Sequence, residues 1–234
     1  MPILTGDQIK RANGALDAWL AAPSDPDGRT RLELDEERDA QRKQAIDDAI
    51  RPLVMDYLTE SVDFDDFKTR IVSANQRRDL WDFLGVEGLG FFDAYVAAAP
   101  DVKARDRELR QAISAPTSNN LARVKIQNFV SHVKRHGAQL NEDGSPDPAS
   151  IPYFLSWFWQ CQDRDTWPIC NSACVTAMLR LKLLRTTDDF ADDYVVLKQI
   201  YEELADAFKN RRGKFFGCYE VERVLRHAAG TAQA

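Results

Sequence analysis

Four cysteines, three histidines and one serine are the side chains of this chain best suited to covalent or metal chemistry. Cys161, Cys170, Cys174 and Cys218 would make a four-thiolate zinc site if they met. No C-x2-C knuckle is present, however, and the spacing fits no common zinc pattern. Cys170 and Cys174 stand one helical turn apart in an apolar run, which suits small buried residues. His132 and His136 have the i, i+4 spacing of metal ligands. The glutamate of H-E-x-x-H is missing and their segment is basic, so the expected setting is solvent or an anion. Cys170 and Ser172 fall at the mouth of a helix, whose dipole can lower a thiol pKa. Nothing in the sequence puts a histidine beside them, and capping accounts for Ser172. The carboxylate pairs Asp65-Asp66, Asp188-Asp189 and Asp192-Asp193 fit the acidic bias of helix starts. The expectation is a chain with no catalytic residue, no metal and no cofactor.

Basic residues carry more information. Arg123, Lys125, Lys134 and Arg135 lie on one helix, while Lys209 and, in the stretch 210–217 that reads as a loop, Arg211, Arg212 and Lys214 form a second basic cluster. Brought together, they would form a phosphate-binding patch on an otherwise acidic body. Kept apart, they are solvated surface. A net charge of −6 argues against an electrostatic grip by the whole surface. Gly85, Gly88 and Gly90 near acidic residues raise a phosphate cradle, but no GKS/T follows and no strand precedes. They read instead as a tight connection between two short helices.

These groups must be positioned by helices. No alternating β-branched run bounded by turn signals occurs, so the expected fold is all-α, a multi-helix domain of about ten helices. The centre is residues 150–177, which hold three of the five tryptophans. There, 151–159 is too short to cross a bilayer and too apolar for a surface. After a polar break, Trp167-Pro168-Ile169 opens a second helix capped by Asn171 or Ser172. Upstream, Ile46, Ile50, Leu53 and Tyr57 make one buried stripe, interrupted at Pro52. Asp63 caps a helix over 64–74 with Phe64, Phe67 and Ile71 inward. Residues 102–114 form a charged, exposed helix. Residues 117–137 form another, with Ile126, Phe129, Val130 and Val133 on its inner face. Proline, glycine and aspartate mark 23–30 as a turn. The best linker is 137–150, which separates an N-terminal helical half, 1–136, from an aromatic-core half, 151–228. Helices are expected over 189–208 and 218–227, and the tail 229–234 reads as disordered. Composition is that of a globular domain, 44% apolar and 29% charged, with 11 glycines and 10 prolines. Four cysteines make no disulfide framework, and residues 1–20 lack a signal-peptide pattern. A cytoplasmic setting and no membrane contact are expected.

Three blocks carry a resemblance. Leu80-Trp81-Asp82-Phe83, Gly85, Gly88 and Phe91-Phe92 form the first. The second runs Tyr153-Phe154-Leu155-Ser156, Phe158-Trp159-Gln160, Gln162-Asp163, Trp167-Pro168-Ile169 and Ser172. Tyr219 to Leu225 form the third, weaker one. In order and spacing these blocks, over residues 60–226, resemble all-helical domains of bacterial restriction and phage-defence proteins. Those domains often stand ahead of modified-cytosine restriction NTPase (McrB-like) modules. Asp82, Leu89-Gly90, Asp93 and Arg223-Val224 depart from the pattern. Separately, Trp167-Pro168-Ile169-Cys170-Asn171-Ser172 is faintly similar to a segment of helical DNA glycosylases that carries a catalytic aspartate. Asn171 stands at that position here.

The resemblance implies a non-catalytic module of a bacterial anti-phage or restriction system that recognises nucleic acid or a partner. Its partners would be DNA or RNA, or an NTPase or nuclease subunit or fused module. Phosphates would meet the two basic segments, and Trp159, Gln160, Trp167, Asn171 and Ser172 would shape the corner between them. Two alternatives stand beside it. A DNA-acting enzyme with a glycosylase-like fold would need a buried acid close to Asn171. A protein–protein interaction domain would need a patchless surface with aromatic grooves.

Overall fold

The computed structural model describes residues 2–22, 29–74, 83, 85–98, 101–137, 145–213 and 216–230. Residues 23–28 of the expected turn, 138–144 of the expected linker, Leu80 to Asp82 of the first resemblance block, Lys214 and residues 231–234 of the tail lie outside them; Ala229 and Gly230, expected in a disordered tail, are helical. Every regular element among the described residues is helical, as expected.

The chain divides into two compact units. One is built from Met1–Ala40 with Arg164–Ala234, the other from Gln41–Asp163. The division falls elsewhere than at 137–150, because the helices on either side of that stretch pack together within the second unit.

In the first unit, α1 (Gly6–Leu20) starts with a capping box in which Thr5 and Gln8 each accept the other's backbone N–H. α2 (Arg31–Ala45) begins in this unit; Asp35 accepts from the Trp19 indole at 2.9 Å, and Asp39 pairs with Arg223. α9 (Ser172–Arg180), α10 (Phe190–Arg212) and α11 (Cys218–Gly230) complete it. Leu16, Trp19, Met178, Leu197, Tyr201, Leu204, Val221 and Leu225 form its core. Tyr194, Leu197, Ile200, Tyr201 and Leu204 make the inner row of α10, and all are buried.

In the second unit, α3 (Arg51–Leu58) follows α2 through a π turn, Ile46–Ile50. Pro52 explains the turn. Proline has no N–H and its ring clashes with the carbonyl four residues back, so the helix widens there. Arg51 N–H reaches the Ile46 carbonyl, five residues back. The stripe survives, with Ile46, Ile50, Leu53 and Tyr57 all buried. α4 (Phe64–Ala74) is capped by Asp63, which accepts from Asp66 N–H at 2.9 Å. A second π turn, Val86–Gly90, leads into α5 (Phe91–Ala98). Gly85 has φ +94°, and a Cβ on Gly88 would stand 2.5 Å from the Phe83 carbonyl oxygen. Gly85 and Gly88 are therefore required by backbone geometry. Leu89 and Gly90 N–H bond the Phe83 and Gly85 carbonyls and so close the turn.

α6 (Val102–Ile113), α7 (Asn119–Gly137) and α8 (Ile151–Gln162) complete this unit. Eleven consecutive residues of α8 are buried. Phe154 lies 4.8 Å from Phe91, 5.5 Å from Phe92 and 6.2 Å from Phe129, centroid to centroid. Phe83 sits 4.1 Å from Trp157. The side chains of α8 also terminate α6: the Trp159 indole donates to the Ala112 carbonyl at 3.0 Å, and Gln162 Nε2 to Ile113 at 2.7 Å. These carbonyls would otherwise be orphans of the helix end.

Helix α6 is not simply exposed, in contrast to expectation. It buries Arg105, Leu109, Ala112 and Ile113. Its two inward arginines are accommodated by aromatic faces, Arg105 at 4.2 Å from the Phe64 centroid and Arg110 at 4.0 Å from Tyr57.

α3 and α9 both end in the same way. Glu60 (φ 62°) and Lys182 (φ 56°) take the left-handed conformation just past the helix. Ser61 N–H then bonds Asp56 O, and Leu183 N–H bonds Met178 O, each at 2.8 Å, which is the Schellman closure. Both residues are exposed and pay the left-handed penalty that glycine does not. Glu60→Gly and Lys182→Gly are each expected to stabilise the chain by up to about 1 kcal/mol, net of the larger unfolded-state entropy of glycine. Urea midpoints of the two variants measure this; a fall in midpoint for both would contradict the closure.

Candidate functional site

The α6–α7 pair is where the basic residues have consequences. Contacts at two levels set its direction. Lys125, in the first half of α7, donates to the Gln111 carbonyl near the end of α6. Further along α7, His132 meets Tyr95, whose hydroxyl donates to the Arg105 carbonyl in the first half of α6 at 3.0 Å. The helices therefore run antiparallel, and the start of α6 lies beside the end of α7. Lys103 and Arg107, one turn apart on α6, are exposed there, as are Lys134 and Arg135 in the last turn of α7. Arg107 and Arg135 both come near enough to His132 to oppose its protonation. Glu108 answers part of this charge by pairing with Arg107 at 3.3 Å.

His132 is buried, where solvent or an anion was expected. Its ring stacks on Phe129 with an interplanar angle of 10°, and its Nε2 lies 3.3 Å from the Tyr95 hydroxyl. Since that hydroxyl donates to Arg105, Nε2 is assigned as the donor to Tyr95. Burial first, then His136, lowers its pKa, with Arg135 and Arg107 adding to the effect and Glu108 opposing it. Lys125 is half-buried, its pKa lowered by burial, and its ammonium is used on Gln111. Arg123 lies in the first half of α7, away from the cationic end.

The second basic segment belongs to the other unit. Residues 210–212 are not a loop but the last turn of α10, with Gly213 as the left-handed cap. Cations there offset the C-terminal partial charge of the helix. Arg211 forms a two-point ion pair with Asp17, at 3.1 and 2.6 Å, while Lys209 and Arg212 are exposed.

The five corner residues also divide between the units. Trp159 caps α6, and Gln160 is buried in α8. Trp167 is buried under Lys198, whose Nζ lies 4.9 Å from the ring centroid. Asn171, rather than Ser172, is the N-cap of α9 and accepts from Cys174 N–H at 2.8 Å. Ser172 is exposed.

One group escaped sequence reasoning. Glu222 is 3% exposed, and its Oε1 accepts from Asn171 Nδ2 at 3.3 Å and from Arg226 Nε at 2.9 Å. The only sequence signal was its position in the Tyr219–Leu225 block, four residues before Arg226 on the same helix. It ties the segment before α9 to α11.

Three of the cysteines are in insulating surroundings, while Cys170 is half-buried. Burial pushes the Cys161, Cys174 and Cys218 thiols up to about 12, so they remain protonated and poorly nucleophilic. Among the described residues no three His, Cys, Asp or Glu side chains are placed to hold a metal ion. No helix among them is long and apolar enough to cross a membrane.

No protein-family model, curated protein or solved structure matches this chain.

Two outcomes follow. The folded-state pKa of His132 is lowered, so below the ordinary histidine value of about 6.5 the unfolded chain binds the extra proton and the folded one does not. Stability is present above that pH and falls as pH drops through it. His227 shifts in the same direction in the other unit. Urea unfolding at a pH above and one below this value should show the loss, and His132→Gln should reduce it. An unchanged difference in His132→Gln would assign the effect elsewhere. Glu222→Ala removes the buried carboxylate to which Asn171 and Arg226 donate and is expected to cost on the order of 2 kcal/mol in the same assay.

Proposed function

We propose that this chain is a non-catalytic recognition module that takes the phosphates of a nucleic acid on the joined start of α6 and end of α7. The observation that carries the reading is the gathering of Lys103, Arg107, Lys134 and Arg135 from two antiparallel helices onto one exposed end. His136 is half-buried beside them, in a molecule of net charge −6. A local cationic patch on an acidic body favours docking in one place over spreading across the surface. The three-block resemblance of residues 60–226 supports a place in a bacterial restriction or phage-defence assembly, in the cytoplasm and beside an NTPase or nuclease partner.

A titration of single-stranded DNA, duplex DNA and RNA at two salt concentrations tests this reading. Lys103→Ala/Arg107→Ala/Lys134→Ala/Arg135→Ala should lose binding at the higher salt. On duplex DNA, the slope of log affinity against log salt should fall by about 0.9 for each phosphate contact removed. Lys209→Ala/Arg212→Ala, in the other unit, should leave binding unchanged. Absence of binding to all three nucleic acids at low salt would reject the reading in favour of a protein partner.

One observation favours a second reading, a DNA-acting enzyme with a glycosylase-like fold: Glu222 is the buried acid beside Asn171 which that reading requires. The Arg226 pairing weighs against it by occupying the same oxygen. Strand incision or base release by the wild type, abolished in Glu222→Gln with the fold intact, would establish it.

A further inference from the structure

A groove of about 360 Å³ opens on the first unit, between Arg11, Gly14 and Ala18 of α1, Arg180 at the end of α9, and His227 of α11. Its size is at the small end of ligand sites. Nothing in its sequence surroundings marks it as one, yet three features of its walls call for an occupant.

The first is the glycine. Gly14 stands inside α1, where glycine costs about 1 kcal/mol relative to alanine. A Cβ there would meet no atom within 4 Å, and no left-handed φ is involved. Neither packing nor backbone geometry requires a glycine. Its effect is to leave the floor of the groove bare.

The second feature is the pair of arginines. Arg11 Nε donates to the Leu181 carbonyl at 2.7 Å, and Arg180 Nη2 donates to the Ala228 carbonyl. Each guanidinium is thereby fixed by one edge at a helix end, with its other edge turned away from that carbonyl. A guanidinium held in this way has already lost the side-chain freedom that binding would otherwise cost, and its fork matches a carboxylate or phosphate.

The third is His227. Half-buried, it lines the groove from α11; Asp35 and Arg31 of α2 lie near it, and burial with Arg31 opposes its protonation. A neutral imidazole can donate or accept a hydrogen bond without adding charge.

We propose that this groove binds a small molecule bearing an oxyanion, phosphate or carboxylate, held by Arg11 and Arg180 with His227 on its flank and its apolar part over Gly14 and Ala18. The groove belongs to the first unit and the cationic end of α6 and α7 to the second, and the proposal does not rest on nucleic-acid binding.

The experiment follows the His227 ring resonances of the full chain as inorganic phosphate or, separately, acetate is added at constant ionic strength. A saturable shift with phosphate assigns the phosphate class; one with acetate assigns the carboxylate class. Gly14→Leu fills the groove from a position where a Cβ meets nothing, so it keeps the fold and should abolish the shift. Arg180→Gln keeps a donor for Ala228 and should weaken affinity about tenfold or more, as expected for losing a hydrogen bond to a charged group. Unsaturable shifts with both anions, or a saturable shift that persists in Gly14→Leu, would overturn the site.

Discussion

Helix α8 has almost no face that can meet water, and the second unit is arranged around that constraint. A helix apolar on every side must be wrapped rather than laid on a core. Phe91 and Phe92 of α5, Phe129 of α7 and Phe83 ahead of the second π turn close on it from different directions. The π turn brings Gly88 against the Phe83 carbonyl at a distance that no side chain permits. The sharp connection and the buried helix therefore belong to one packing solution. Trp159 and Gln162 add polar closure, since the helix that buries most also satisfies the last carbonyls of α6.

That wrapping decides where charge goes. α6 carries charge on most of its faces, so packing it near α8 forces some cations inward. Arg105 and Arg110 are taken by the faces of Phe64 and Tyr57, and Asp106 accepts from the Tyr57 hydroxyl at 2.6 Å. Arg110 pairs with the same Asp106 one turn away. These cations are used in holding α6 to α3 and α4 and are not available to a ligand. Lys103 and Arg107 lie on the remaining face, and the antiparallel course of α7 adds Lys134 and Arg135 beside them. The cationic end is thus what remains of a charged helix after the aromatic core has taken its share.

Local features of this architecture were legible in the sequence. Asp63 as a cap, Phe67 and Ile71 as an inner row, the Ile46–Tyr57 stripe and the buried α8 all follow from spacing and side-chain chemistry within one or two turns. What was not legible depends on partners distant in the chain. Arg105 and Arg110 read as surface because the rings beneath them, Phe64 and Tyr57, lie on helices far earlier in the chain. His132 read as solvated because Tyr95, which holds it, belongs to another helix. Residues 210–212 read as a loop because cations in a last helical turn resemble any basic run until Gly213 is seen to cap it. Glu222 was one acid among 37 until Asn171 and Arg226 were found beside it.

The first unit poses a different assembly problem, for it is made from chain ends separated by more than a hundred residues. Its core needs Leu16 and Trp19 from the first segment against Leu197, Tyr201 and Leu225 from the second. Loop-closure entropy opposes that meeting before any contact offsets it. The polar ties between the segments are correspondingly dense. Ile3 and Leu4 N–H donate to Glu203, Gln8 to the Lys182 carbonyl, Arg11 to Leu181, Arg211 to Asp17, and Arg223 pairs with Asp39. Most lie near the surface, where one ion pair is worth little. Their value is in register: each fixes α1 or α2 against a helix end whose carbonyls or charges need a partner. Arg11 therefore has two consequences from one bond, closing the end of α9 and setting its guanidinium at the wall of the groove above Gly14.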